Sequence, residues 1–201
     1  MKGVFIDVET GGLDPKVHAL TQVGAIAFEI NVGQEPVILE TFSQLVSPSQ
    51  WLAVSPGALD LQHRTLGELR KSGADESDVY IALIGFLCKH IGESAQWPGM
   101  IWAQDAAFDH SFCRALEKRA KLNDLFGDRC DWNCTKRLWT LLRGLGAHNE
   151  TRTSLKHIIA HYGIRGEDEQ THDAADDATV SVIALSHMIN DLAQVFKGRT
   201  E

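Results

Sequence analysis

A chain of 201 residues, 44% hydrophobic and 23% charged, has a normal globular composition and enough length for one sizeable core, so a single domain over residues 1–201 is expected. Its net charge of −8 excludes a protein that coats nucleic acid by bulk positive charge, but not an enzyme acting on nucleic acid. No apolar run approaches bilayer length and no charged-apolar-small leader opens the chain. A cytoplasmic protein without a membrane partner is expected, its four dispersed cysteines reduced.

The first element carries the strongest signal. Val4-Phe5-Ile6-Asp7-Val8-Glu9 reads as a buried strand that ends in Thr10-Gly11-Gly12-Leu13, a turn where backbone can approach a ligand. Alternation puts Val4, Ile6 and Val8 on one face and Asp7 with Glu9 on the other. Two adjacent carboxylates repel unless a positive charge lies between them, and hard divalent cations prefer oxygen ligands.

Leu20 to Ile30 and Val37 to Val46 read as further strands of a meander, joined by the turn Asn31 to Pro36. Ser47 to Lys71 reads as a long connection with a short helix, Gly57 to Gln62. Asp75 opens a helix with Val79, Leu83, Phe86, Leu87 and Ile91 at helical spacing. Met100 to Ala103 is a fourth strand, followed by a helix whose first turn holds Asp109 and whose apolar face is Phe108, Phe112, Ala115, Leu116 and Ala120. Arg129 to Asn133 is expected as a fifth strand, with helices over Thr135 to Arg143 and Ser154 to Tyr162. A last helix runs from Thr171 to about Phe196, with Ala178, Val182, Leu185, Ile189, Ala193 and Phe196 on its buried side. Strands first, then alternating helices and strands, indicate an α/β domain with a mixed sheet.

Acids recur where these elements end: Asp7 and Glu9, then Asp109, then Asp173, Asp176 and Asp177. Carboxylates converging from three elements are what a two-metal phosphoryl-transfer site requires, and four of them balance two dications. His172, beside the last group, is placed to take a proton from an attacking water. Between Arg114 and Lys156 ten Lys and Arg face five acids, a local surplus that suits either a phosphate-facing surface or an ordinary solvated helical face.

Three of these stretches carry a family resemblance. Asp7-Val8-Glu9-Thr10-Gly11-Gly12-Leu13, Asp105-Ala106-Ala107-Phe108-Asp109 and His172-Asp173-Ala174-Ala175-Asp176-Asp177 resemble the three exonuclease motifs of the DEDDh superfamily of 3′–5′ exonucleases. That group includes the proofreading subunit of bacterial DNA polymerase III, ribonuclease T and oligoribonuclease. Ser154 to Ile164 is similar to the helix and turn before the third motif. The resemblance implies a ribonuclease H-like fold with a mixed five-stranded sheet flanked by helices. It further implies two Mg²⁺ ions, with Mn²⁺ as a substitute, held by Asp7, Glu9, Asp109 and Asp177, and His172 as general base. Thr10, Gly11 and Leu13 match positions that cradle the terminal nucleotide.

The implied function is release of nucleoside 5′-monophosphates from nucleic-acid 3′ ends; the sequence does not decide between DNA and RNA, and single-stranded DNA is the expected substrate, with RNA 3′ ends the alternative, while a homodimer is a further implication of the resemblance. The alternative of a different class is a non-catalytic nucleic-acid-binding module. Two departures stand out. Gln104-Asp105 replaces the usual His-Asn, which puts an extra carboxylate, Asp105, where it bears on substrate or metal. Gly11 occurs where many relatives have threonine. Trp102, just ahead of Gln104, is the aromatic expected nearest the site. Cys130 and Cys134 with His157 and His161 make only a superficial zinc set, because the gap between the pairs exceeds a zinc-finger loop.

Overall fold

A computed structural model describes residues 1–122, 125–166 and 170–198, with Gln96 through its backbone only. Three strands, β1 (Lys2–Thr10), β2 (Leu20–Glu29) and β3 (Val37–Leu45), form the antiparallel meander. A connection with α1 (Pro56–Leu61) and α2 (Leu66–Ser72) leads to α3 (Glu76–Ile91). Next come β4 (Ile101–Ala103), α4 (Ala106–Ala120), β5 (Asn133–Cys134), α5 (Thr135–Gly144), α6 (Leu155–His161) and α7 (Ala174–Lys197). The sheet order is β3-β2-β1-β4-β5, with β4 parallel to both β1 and β5. Central β1 and its parallel neighbour β4 therefore end on the same side of the sheet.

Alternation along β1 builds two cores. Val4, Ile6 and Val8, with Val23, Ala25 and Ala27 of β2, pack against Val79, Leu83 and Leu87 of α3 and Phe112 and Leu116 of α4. Phe5, with Ile26 and Phe28, packs on the other face against Ala178, Val182 and Leu185 of α7. Asp7 and Glu9 continue the Phe5 row, so they emerge beneath the first turn of α7. β2 is buried on both faces, as its near-continuous apolar run requires.

Several expectations need correction. The fifth strand is two residues long and lies at Asn133–Cys134 rather than over 129–133. The connection after Ser47 contains a second helix, α2, nucleated by a capping box: Glu68 N–H donates to Thr65 Oγ1 and the Glu68 carboxylate accepts from Thr65 N–H. The last helix begins at Ala174, because the Asp173 carboxylate caps it by accepting from the backbone N–H of Ala175 and Asp176, both at 3.2 Å. Phe196 is 57% exposed, since the sheet ends before the helix does.

The register sets Gly24 of β2 opposite Asp7. A Cβ at Gly24 would lie 2.2 Å from the carbonyl carbon of Ala174 and 2.3 Å from the backbone nitrogen of Ala175, so the start of α7 rests directly on bare β2 backbone. A Gly24→Ala substitution is expected to cost about 1–3 kcal/mol in urea unfolding, because backbone must move to admit the methyl group. The control is Gly57→Ala, whose Cβ would meet open space and which is expected to be neutral or stabilising.

Candidate active site

Four carboxylates and a histidine meet at the shared strand ends. Asp7 and Glu9 are half-buried on β1, while Asp109 in the first turn of α4 and Asp177 in the first turn of α7 are buried. Ligand atoms of Glu9, His172 and Asp177 all lie within 4.8 Å of one another, the single grouping of that kind among the described residues. Asp109 enters from the opposite face of the sheet and is fastened to the strand end by the backbone N–H of Val8.

The electrostatics follow from this crowding. Burial, then the charges of Asp109, Glu9 and Asp177, push the Asp7 carboxyl well above its ordinary range. Glu9 is pushed up to about 8, first by burial and then by Asp177, Asp173 and Asp109, with Arg64 opposing. Burial and the neighbouring Asp105 carboxylate push Asp109 to about 8. Burial also raises Asp177, against a hydrogen bond from Gln170 Nε2 at 2.8 Å. Asp177 Oδ1 is buried without a partner. An orphaned carboxylate oxygen among crowded, part-buried acids is a donor set that fits hard divalent cations.

The chain around His172 is tightly held. His172 adopts a left-handed backbone, φ 50°, which costs a non-glycine residue about 1 kcal/mol and turns the chain sharply before α7. Thr171 Oγ1 donates to Asp176 Oδ2 at 2.6 Å, and Arg165 grips the same carboxylate with both terminal nitrogens, one of them at 2.7 Å. Asp176 is thereby occupied by its own loop, whereas Asp177 faces Glu9.

Thr10 Oγ1 donates to the Gly12 carbonyl at 2.7 Å and shapes the turn. Gly11 lies under the segment 53–55: Ser55 N–H donates to its carbonyl at 2.9 Å, and a Cβ would sit 2.7 Å from the Ala53 oxygen. That close approach explains the absence of threonine there. Leu13 projects 83% exposed beside the site.

Two expected residues are engaged with the scaffold, although Asp105 stays close enough to raise Asp109. Trp102 packs against the Phe5–Ile26–Val182 cluster under α7 and serves as its edge. Asp105 is paired with Lys136 at 2.8 Å, and Gln104 is held by Thr135 and the Thr153 carbonyl, so this pair braces β4 to α5 and the loop before α6. Much of the basic stretch is taken up in ion pairs: Arg114 and Lys118 meet Asp128, Arg119 meets Glu76, Arg129 meets Asp131 and Arg152 meets Glu150. The zinc set does not assemble: Cys130 and Cys134 donate to the carbonyls of Ala106 and Gln104, and His161 packs on Trp139.

Residues the motifs do not reveal complete the site. Gln22 of β2 donates to Asp173 Oδ2 at 2.9 Å, and Arg64 Nη2 donates to the same oxygen at 3.1 Å. Gln62 donates to the Thr10 carbonyl at 2.9 Å. A glutamine inside an otherwise apolar strand is a legible signal for Gln22. Arg64 and Gln170 lie in irregular segments, where sequence offers none.

A family model described as Exonuclease, of the ribonuclease T type, matches residues 4–185. The chain belongs to this exonuclease family. Ribonuclease T of Cronobacter sakazakii is 29% identical over 119 residues, 59% of this chain and 53% of that protein. Ribonuclease T of Pectobacterium atrosepticum is 26% identical over 188 residues, 93% of this chain and 81% of that protein. The match thus spans about half the length of the first curated relatives. Among solved structures, E. coli exonuclease I in complex with a dT13 oligonucleotide superposes with a TM-score of 0.73 at 17% identity, over 98% of this chain and 42% of that one. The nuclease domain of 3′hExo, a DEDDh family member bound to rAMP, superposes with a TM-score of 0.72 at 17% identity, over 94% and 92%. Both bear out the ribonuclease H-like α/β fold. No described helix is long and apolar enough to cross a membrane.

The raised carboxyls make a signed prediction. A carboxyl whose folded pKa lies above its unfolded value holds protons that the unfolded chain releases, so rising pH favours unfolding between the two values. For Glu9 that window runs from 4.5 to about 8. In chelator, the melting temperature is expected to fall from pH 5 to pH 8 more steeply in wild type than in Asp7→Asn, and Mn²⁺ should reverse the fall most strongly at pH 8. The difference between the two proteins isolates the cluster from His148, whose ring is lowered by burial and acts in the opposite sense. Equal slopes would contradict this account.

Proposed function

We propose that the chain is a metal-dependent 3′–5′ exonuclease that releases nucleoside 5′-monophosphates from single-stranded ends, with DNA as the preferred substrate. The observation that carries this reading is the clustering of Asp7, Glu9, Asp109 and Asp177, with His172 within 4.8 Å of ligand atoms of Glu9 and Asp177 and with Asp177 Oδ1 left unpartnered. These carboxylates would hold two Mg²⁺ ions, or Mn²⁺ in their place, which supply charge neutralisation at the phosphate and acidify the attacking water.

The chain's own groups do the rest. His172, fixed by its left-handed turn and by the cap at Asp173, accepts the proton of the attacking water, a contribution worth about 10²- to 10⁴-fold. The Thr10–Gly12 turn brings backbone close to the terminal sugar, and exposed Leu13 offers an apolar surface for the terminal base. The oligonucleotide carried by exonuclease I and the nucleotide carried by 3′hExo support a nucleic-acid 3′ end as substrate.

The test is digestion of matched 5′-labelled single-stranded DNA and RNA oligonucleotides with Mg²⁺, Mn²⁺ or chelator. Wild type is expected to give a ladder shortening from the 3′ end, faster on DNA, abolished by chelator and by Asp7→Asn, and slowed about 10²- to 10⁴-fold in His172→Gln. Binding of either oligonucleotide without cleavage would replace the enzyme by a binding module. A faster RNA ladder would reverse the substrate assignment.

A further inference from the structure

The acidic centre contains one carboxylate more than two dications require. Asp173 stands among the charges that bear on both Asp7 and Glu9, so five acids share the site: Asp7, Glu9, Asp109, Asp173 and Asp177. Asp173 is nevertheless fully engaged elsewhere. Its Oδ1 accepts from the backbone N–H groups of Ala175 and Asp176 and its Oδ2 from Gln22 and Arg64. Arg64 is the cation in this set. Its side chain is largely buried, its Nε is sealed from water without a partner, and it emerges from the loop between α1 and α2. Gln62 of that loop holds the Thr10 carbonyl and is itself held by Thr21. One short loop therefore ties the end of β1 to the residue that follows His172.

We propose that Arg64 is the charge-compensating and positioning residue of this centre: its ion pair with Asp173 cancels the fifth carboxylate, keeps it on the cap of α7, and leaves a net of four negative charges for two divalent cations. The inference rests on the metal-centre reading above. A buried guanidinium with an unsatisfied donor is a costly group to hold beside a structural cap alone, which an uncharged asparagine serves as well. Its cost is explained if its charge is the useful part, and the lowering effect of Arg64 on Glu9 is the same influence seen from the ligand.

The two partners then predict effects of opposite sign, which a merely structural role does not. Titration calorimetry of the full chain with Mn²⁺ alone would compare wild type, Arg64→Gln, Arg64→Lys, Asp173→Asn and the double variant. Arg64→Gln removes a cation and frees an acid, so Mn²⁺ should bind about tenfold tighter. Asp173→Asn keeps the cap and leaves Arg64 uncompensated, so Mn²⁺ should bind weaker by a similar factor. Arg64→Lys and the double variant should return near wild type. In the digestion assay, Arg64→Gln should lower kcat with little change in KM, because the freed Asp173 no longer fixes His172. Shifts of the two single variants in the same direction, or none, would overturn the proposal. Should Arg64→Gln fail to fold, unchanged or tighter binding by Asp173→Asn would do so alone. Wild-type Mn²⁺ affinity left intact by Asp7→Asn would instead refute the metal centre itself.

Discussion

The constraint on which this structure turns is the mutual repulsion of buried carboxylates. Asp7, Glu9, Asp109 and Asp177 are carried on three elements; burial raises all four, and the charges of Asp109 and Asp177 raise Asp7 and Glu9 further. Nothing within the cluster favours its assembly, so the favourable terms come from outside it. They are the apolar cores on the two faces of β1, the absent side chain at Gly24 that lets α7 settle onto β2, and the polar clasp of Gln22 and Arg64 on Asp173. The acids stay together because the surrounding packing over-determines their position, as sites that store unfavourable energy require.

That division of labour decides what can be read from sequence. Strands and long helices announce themselves because burial imposes a period of two or of 3.6 on apolar residues, so β1, β2, α3 and α7 are legible, as are the acids that break those periods at Asp7, Glu9 and Asp177. β5 is not legible, because two residues paired to a three-residue strand carry no period. α2 is hidden in a polar stretch, although Thr65 and Glu68 hold its capping box in plain view. Arg64 and Gln170 act through loop geometry, which one sequence does not encode in any local pattern.

The altered second motif shows how a family site absorbs a change of charge. Asp105 adds an acid next to Asp109, and the fold answers with Lys136 on the helix that follows β5, while Gln104 turns to Thr135 and the Thr153 carbonyl. The two substituted side chains become braces between β4, α5 and the approach to α6. Asp173 with Arg64 repeats the same solution at the third motif. In both places a supernumerary acid is retained and given a cation of its own, and the acids that face one another across the site remain the four shared by the three motifs.

The order of the elements along the chain has its own consequence. Asp7 and Glu9 precede His172, and the helix α7 that carries Asp177, by some 165 residues, and α7 packs directly on β1 and β2. A nascent chain can pair its meander and seat α3 and α4 while the ribosome still holds the third motif, because domains form from the N-terminus as synthesis proceeds. Throughout that interval the strand end has Asp7, Glu9 and, once α4 is seated, Asp109, but neither Asp177 nor the His172 imidazole. Docking of the last helix is thus the event that brings Asp177 and His172 to the acids of the strand end.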